Sequence, residues 1–318
     1  MLHEIYLGKQ EDQIYIREFL KLVRSIDPIE ISTVPSFFRL NEKDKLQELI
    51  DYNVLINIIN QANDIIINKY SDCYHPIAHD RYLIGLVMDD TSIGGFHDAK
   101  SFGYHFYYAA GFVLLINPKL VKNRLIRTVE LARNYIHDCL HHSTFRSYRR
   151  KDKFPAKNKK VAKTSLPELY REQYGINFRN QEGISYSSVE LTKKSPHAIN
   201  LNLLMDGSVV LTVASILEDI GAINLVDAFE GNIEKNVWND IFLRDFEYEN
   251  YHMASIFKQN IQIPTQCFID YWGGHILLKL IIKSMFSGEL DELKEFFSNK
   301  SHKPNAWENI FKRPGFEL

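Results

Sequence analysis

The sequence predicts an α+β protein that is predominantly helical, with a small sheet in its middle third. Three observations predict it. Long stretches near both ends carry apolar residues at three- and four-residue spacing. The stretch between Cys73 and Asn117 switches to short runs rich in β-branched and aromatic residues, joined by a Gly/Asp/Ser cluster. No apolar run approaches the ~18 residues needed to span a bilayer.

The helical expectation begins with "DQIYIREFLKLVRSI" and "DKLQELIDYNVLINIINQANDIIINKY", which make residues 1–72 an N-terminal helical region. "RYLIGLVMDD" and "YHFYYAAGFVLLIN" are the expected strands. Pro118 suits a first helical turn, where its missing N–H costs nothing. A helix of about seven turns is predicted from there to Thr144, with Ile126, Val129, Ala132, Ile136 and Leu140 on its apolar face. Shorter elements fill the chain to Asn200, completing a core region over 73–200. Residues 201–318 form a C-terminal helical region, in which Val209, Val213, Ile216, Leu217 and Ile220 keep a helical period.

With 45% hydrophobic and 25% charged residues in 318, the chain has the composition of a globular protein, which excludes disorder throughout. Cys73, Cys139 and Cys267 are widely spaced and odd in number, fitting reduced thiols better than a disulfide framework. The N-terminus shows no basic region followed by an apolar block, so a cytoplasmic location is expected. The net charge of −2 hides an asymmetry. Arg146 to Lys163 holds nine basic residues against one acid, a net of +8 that leaves −10 for the rest. Such a block repels itself and is expected to be a mobile surface loop, compatible with steering an acidic substrate or partner, touching anionic lipid or nucleic acid, or nuclear import, with a merely solvated loop as the competing reading. Confinement of the basic charge to one loop argues against nucleic-acid binding as the main function.

The chemistry concentrates in "NYIHDCLHHSTF", Asn134 to Phe145. On a helix, His137 and His141 are four apart and stack on one face, which lets two imidazoles reach one ion at ~2.0–2.1 Å. Asp138 adjoins the first histidine, where a carboxylate can orient water and take its proton, the logic of an HExxH motif. The competing reading is a decorated helix end, since imidazoles and the arginines of "HHSTFRSYRR" complement a helix C-terminus. His142 is turned ~100° from His141 and is expected beside the site or at the surface. Cys139 points away from the histidine face and is expected to be a small buried hydrophobe.

The strand "GFVLLIN" leading into the helix that carries "HDCLHH", followed by "NQEGISYS" at Asn180 to Ser187, resembles the zincin metallopeptidases of the gluzincin type, over residues 80 to 190. The resemblance implies that Glu182 is a third ligand of Zn2+ beside His137 and His141. It also implies that a peptide substrate lies antiparallel along the strand Ala110 to Ile116. The family's base is glutamate; here Asp138 stands in its place, one methylene shorter.

A peptidase needs an electrophile facing the developing oxyanion. Tyr186, Tyr271, His252 and His275 are available, and His275, in "YWGGH", is taken first; that segment also reads as a plain turn between helices. Glu130, seven residues before His137, is a candidate orienter of a ligand histidine; a solvated or salt-bridged role competes. Glu218 and Asp219 are rival third ligands on an apolar helix. The expected function is a zinc-dependent metallopeptidase acting on a specific intracellular protein. The alternative is a non-catalytic protein on the same scaffold that grips an acidic partner through its basic 146–163 loop.

Overall fold

The computed structural model describes residues 3–31, 37–70, 73–86, 95–97, 111–116, 118, 122–150, 169–180, 184–190, 201–222 and 263–310. The protein is α+β and predominantly helical, with two small sheets among the described residues. It divides into two compact units, each assembled from separate stretches of chain. One holds Met1–Leu22, Thr144–Ser208 and Cys267–Leu318, the other Val23–Ser143 and Val209–Gln266. Three of the four divisions fall inside continuous helices, and the fourth falls between Ser143 and Thr144.

The second unit is built on strands β2 (Phe37–Arg39), β3 (Tyr82–Leu86), β4 (Gly95–His97) and β5 (Phe112–Ile116), in the order β2-β3-β5-β4. β3 and β5 are parallel, with Tyr82 opposite Phe112; β2 and β4 are antiparallel to their neighbours. β5 therefore has a strand on each side. The expected substrate track is occupied by β4 over Leu114 to Ile116, and Ala110 lies outside the described residues; β4 falls in the Gly/Asp/Ser cluster expected only to join the two strands. Helices α3 (Lys43–Leu46) and α4 (Tyr52–Tyr70) lie between β2 and β3 in the chain. On α4, Leu55, Ile58, Ile59, Ala62 and Ile66 recur at three and four residues and are all buried, as an amphipathic helix requires.

Helix α5 (Arg124–His142) packs along α4. It starts six residues later than Pro118 suggested, because Asn123 caps it. The Asn123 side chain accepts hydrogen bonds from the backbone N–H groups of Leu125 and Ile126, satisfying donors that have no partner within the helix.

The first unit holds the other sheet, in the order β1-β6-β7-β8-β9. Its strands are β1 (Glu4–Leu7), β6 (Arg146–Arg150), β7 (Leu169–Tyr174), β8 (Asn177–Arg179) and β9 (Ser185–Tyr186). β6 corrects the expectation of a mobile loop at its start: the first five residues of the basic stretch are a strand paired on both sides. Arg146 is only 2% exposed. Its guanidinium lies 3.8 Å from the Glu4 carboxylate and 5.9 Å from the Tyr174 ring, so a buried charge is met by opposite charge and by an aromatic face. Residues 151–163 of the basic stretch lie outside the described residues.

Helices α1 (Gln10–Ser25), α2 (Pro28–Ile31), α6 (Asn202–Asp219), α7 (Ile263–Trp272), α8 (His275–Ser287), α9 (Asp291–Ser301) and α10 (Ala306–Ile310) complete the described architecture. In the first unit Leu277, Ile281, Ile282, Met285 and Phe286 of α8, with Phe297 and Trp307, are buried; the Trp307 indole donates to the Ser187 carbonyl. Among the described residues, no helix is long and apolar enough to cross a membrane.

Candidate metal centre

Helix α5 is held along its whole length. Near its start, Thr128 Oγ1 accepts from Asp51 N–H at 2.8 Å and donates to the Arg124 carbonyl. In its second half the Tyr135 hydroxyl donates to the Ile77 carbonyl at 2.6 Å. At its end Ser143 Oγ accepts from His75 N–H at 2.8 Å and donates to the Cys139 carbonyl. The last two hold His75 and Ile77 against the helix that carries the histidines.

His137 is half-buried and His141 is 6% exposed. Their ring centroids are 4.7 Å apart and tilted by 58°, the stacking that a spacing of four residues gives on one helical face. Asp206, in the second turn of α6, completes a group. One ligand atom from each of His137, His141 and Asp206 lies within 4.8 Å of the other two. Tetrahedral zinc bonds of ~2.0–2.1 Å set donor atoms about 3.3 Å apart. Two imidazoles and a carboxylate form a donor set that can hold a metal ion with a position left for water.

Asp206 was not singled out from the sequence, although the rival carboxylates Glu218 and Asp219 on the same helix were. A visible signal existed: in "LNLLMDGSVVLTVASIL" a carboxylate interrupts an apolar run, and a carboxylate there needs a reason. Glu218 and Asp219 are both exposed at the far end of α6, and Asp219 lies 3.5 Å from Lys69. The base of α6 is fixed by Asn177, whose side chain donates to Asn202 Oδ1 at 2.9 Å. Glu182, the ligand implied by the resemblance, lies outside the described residues, as does His252.

Asp138 is fully buried, and its Oδ2 accepts a hydrogen bond from the Tyr82 hydroxyl at 2.8 Å. Tyr82 on β3 is equally buried. Loss of solvent, with the carboxylate of Asp138 beside it, pushes the phenol well above its usual range and keeps it a donor. Arg133, one turn back on α5, is lowered by burial and supported by the charges of Glu130 and Asp138. Glu130 is 6% exposed, so the solvated role considered for it is replaced by a buried position beside that guanidinium.

Cys139 is 0% exposed, and its Sγ accepts from Ile77 N–H at 3.3 Å. Burial pushes its thiol up to about 12, which makes it the inert apolar residue expected. His142 is 8% exposed, edge-on to the Phe112 ring, with Nδ1 bonded to the backbone at His75. His275 opens α8 and is exposed, directly after Gly274, whose φ of 59° marks the turn between α7 and α8. Tyr271 is 78% exposed, whereas Tyr186 is buried in β9.

No protein-family model matches the chain, and no curated protein or solved structure matches it significantly.

Proposed function

We propose that the chain is a zinc-dependent hydrolase of the peptidase class, with His137, His141 and Asp206 as the metal-holding residues. The observation that carries this reading is the convergence of two imidazoles and one carboxylate within 4.8 Å. Zinc fits better than magnesium or calcium, because imidazole nitrogens suit it and hard oxygen-seeking cations avoid them. When bound there, zinc supplies a Lewis acid that polarises a carbonyl and brings the pKa of water to ≈ 7.

The chain's own residues supply the rest. Asp138, next to His137, is the candidate acceptor of the proton from water. Exposed His275 is the candidate donor toward an oxyanion. An extended substrate strand would pair with the outer edge of β4, which has no further strand among the described residues. The resemblance to gluzincins supports this chemistry, and the position of β4 supports an extended peptide as the substrate form.

One observation favours a second reading. Asp138 is fully buried and already bonded to Tyr82, as befits a structural carboxylate, so a metal-holding scaffold that binds a partner without cleaving it is the alternative. Arg146 is buried and bridged to Glu4, so a grip on an acidic partner would fall to residues beyond it.

The experiment is metal analysis of the purified chain, followed by cleavage assays on a peptide library. About one zinc per chain is expected, with zinc and cleavage both lost in His137→Ala. Asp138→Asn should keep the zinc and lose the cleavage. Zinc without cleavage in the wild-type chain supports the scaffold; a chain that takes up no zinc defeats both.

A further inference from the structure

Helices α7 and α8 meet at Gly273 and Gly274, and two large apolar side chains stand in solvent at that turn. Tyr271, two residues before the glycines, is 78% exposed; Ile276, two residues after them, is 60% exposed. Apolar side chains scattered singly over a surface are ordinary, but these two flank one turn and adjoin the half-buried Trp272. The Trp272 ring stands at 86° to that of Tyr271, with centroids 5.3 Å apart. Two rings at right angles form a corner walled by one face of each, where a cation lies within about 6 Å of both centroids. Behind the corner, Trp272 is braced by Phe297 at 5.0 Å and Phe268 at 6.5 Å, so one wall is held before a ligand arrives. The glycines that follow add no side chain, and a Cβ on Gly274 would meet nothing within 4 Å.

The backbone adds a charge pattern. α7 ends at Trp272, and the C-terminal end of a helix favours a cation. α8 begins at His275, and its N-terminal end favours an anion; its N-cap, Gly274, provides no side-chain hydrogen bond. Lys279, one turn into α8, is exposed. A negative helix end beside a positive one, with an aromatic corner on the negative side, is complementary to a zwitterion whose cation is a quaternary ammonium.

We infer that the α7–α8 turn is a docking surface for a lipid layer bearing phosphocholine headgroups. Tyr271 and Trp272 take the quaternary ammonium, while the first N–H groups of α8 and Lys279 face the phosphate. Ile276 enters the acyl boundary. Free phosphocholine carries the same two charges, but only a lipid layer also removes the Ile276 side chain from water. The contact needs no spanning helix, and none is present among the described residues.

The test is co-flotation of the full-length chain with vesicles of phosphatidylcholine and with vesicles of mainly phosphatidylethanolamine, whose ammonium is primary. Partitioning should be about fivefold or more stronger on phosphatidylcholine. Tyr271→Ala should weaken it about fivefold, whereas Tyr271→Phe keeps the ring face and should partition as the wild type does. Ile276→Ser should weaken it about tenfold or more. Both positions are exposed, so neither change threatens the fold.

Equal partitioning on the two lipids overturns the inference, as does wild-type partitioning in Tyr271→Ala or a chain that floats with neither. Saturation by soluble phosphocholine without flotation would assign the corner to a small molecule and overturn the lipid surface. Flotation only with anionic phosphatidylglycerol vesicles, unchanged by Tyr271→Ala, would overturn it too. Zinc content should be the same in all three variants, so a failure here leaves the metal reading standing.

Discussion

His142 Nδ1 lies 2.9 Å from the carbonyl oxygen of His75, so a side chain at the end of α5 meets the backbone of the segment before β3. The imidazole of His142 is 8% exposed and stands edge-on to Phe112, with ring centroids 5.7 Å apart. His142 therefore clamps the loop before β3 to the end of α5. His142→Ala should cost about 2–3 kcal/mol, combining one lost hydrogen bond with a small cavity. Urea unfolding of the zinc-free chain measures that cost, and zinc content should stay at the wild-type level. Loss of zinc would instead make His142 a ligand.

Gly288 closes helix α8 with φ of 75°, and a Cβ placed there would sit 2.3 Å from Phe145 Cδ1. Both the left-handed backbone and the aromatic ring exclude a side chain. Gly288→Ala should destabilise the protein by about 2–4 kcal/mol, the sum of backbone strain and overpacking. Thermal melting checks the direction. A second change, Phe145→Leu, should recover part of the loss if the ring is the obstacle, and none if strain alone is responsible.

What periodicity carries is legible in the sequence alone. Leu55, Ile58, Ile59, Ala62 and Ile66 mark a helix face, and Tyr82 to Leu86 mark a strand, because each signal is complete within a few residues. β6 was not readable. "RSYRR" looks like a solvated charge run until Glu4, far away in sequence, arrives to meet Arg146. The start of α5 was misplaced for a smaller reason: Pro118 and Asn123 both suit a helix N-terminus, and the capping side chain prevailed. The stacking of His137 on His141 is local and follows from their spacing, whereas Asp206 belongs to a different helix and no spacing rule reaches that far.

Asp27 allows a pH test that does not involve the metal centre. Its carboxyl is held below the usual carboxylate range by the Ile29 N–H at 3.0 Å and the Arg39 guanidinium at 2.5 Å. A depressed folded-state pKa means the stabilisation is complete above about pH 4 and is lost as pH falls through the folded value. Because the side chain is 39% exposed, solvent screening keeps the contribution below about 1 kcal/mol. Asp27→Asn should be less stable than wild type near pH 6, with the difference closing below about pH 3. Unfolding curves with chelator present throughout measure it; a difference independent of pH would show that the charge plays no part.

The carboxylate ligand itself is open to direct test, because Asp206 and Glu182 make opposite predictions. If Asp206 holds the ion, Asp206→Ala should weaken zinc by more than about a hundredfold, beyond the ~10–100-fold expected for a residue that only orients a ligand. Unfolding would not explain such a loss, since alanine is the better helix former within α6 and circular dichroism should be unchanged. Glu182→Ala should then leave zinc affinity within about twofold of wild type. The reverse pattern would return the third position to Glu182, and with it the ligand set that the resemblance to gluzincins implies. A chain losing zinc in both variants would hold the ion with four protein ligands, which closes the position needed for water and turns the centre from a catalytic into a structural one.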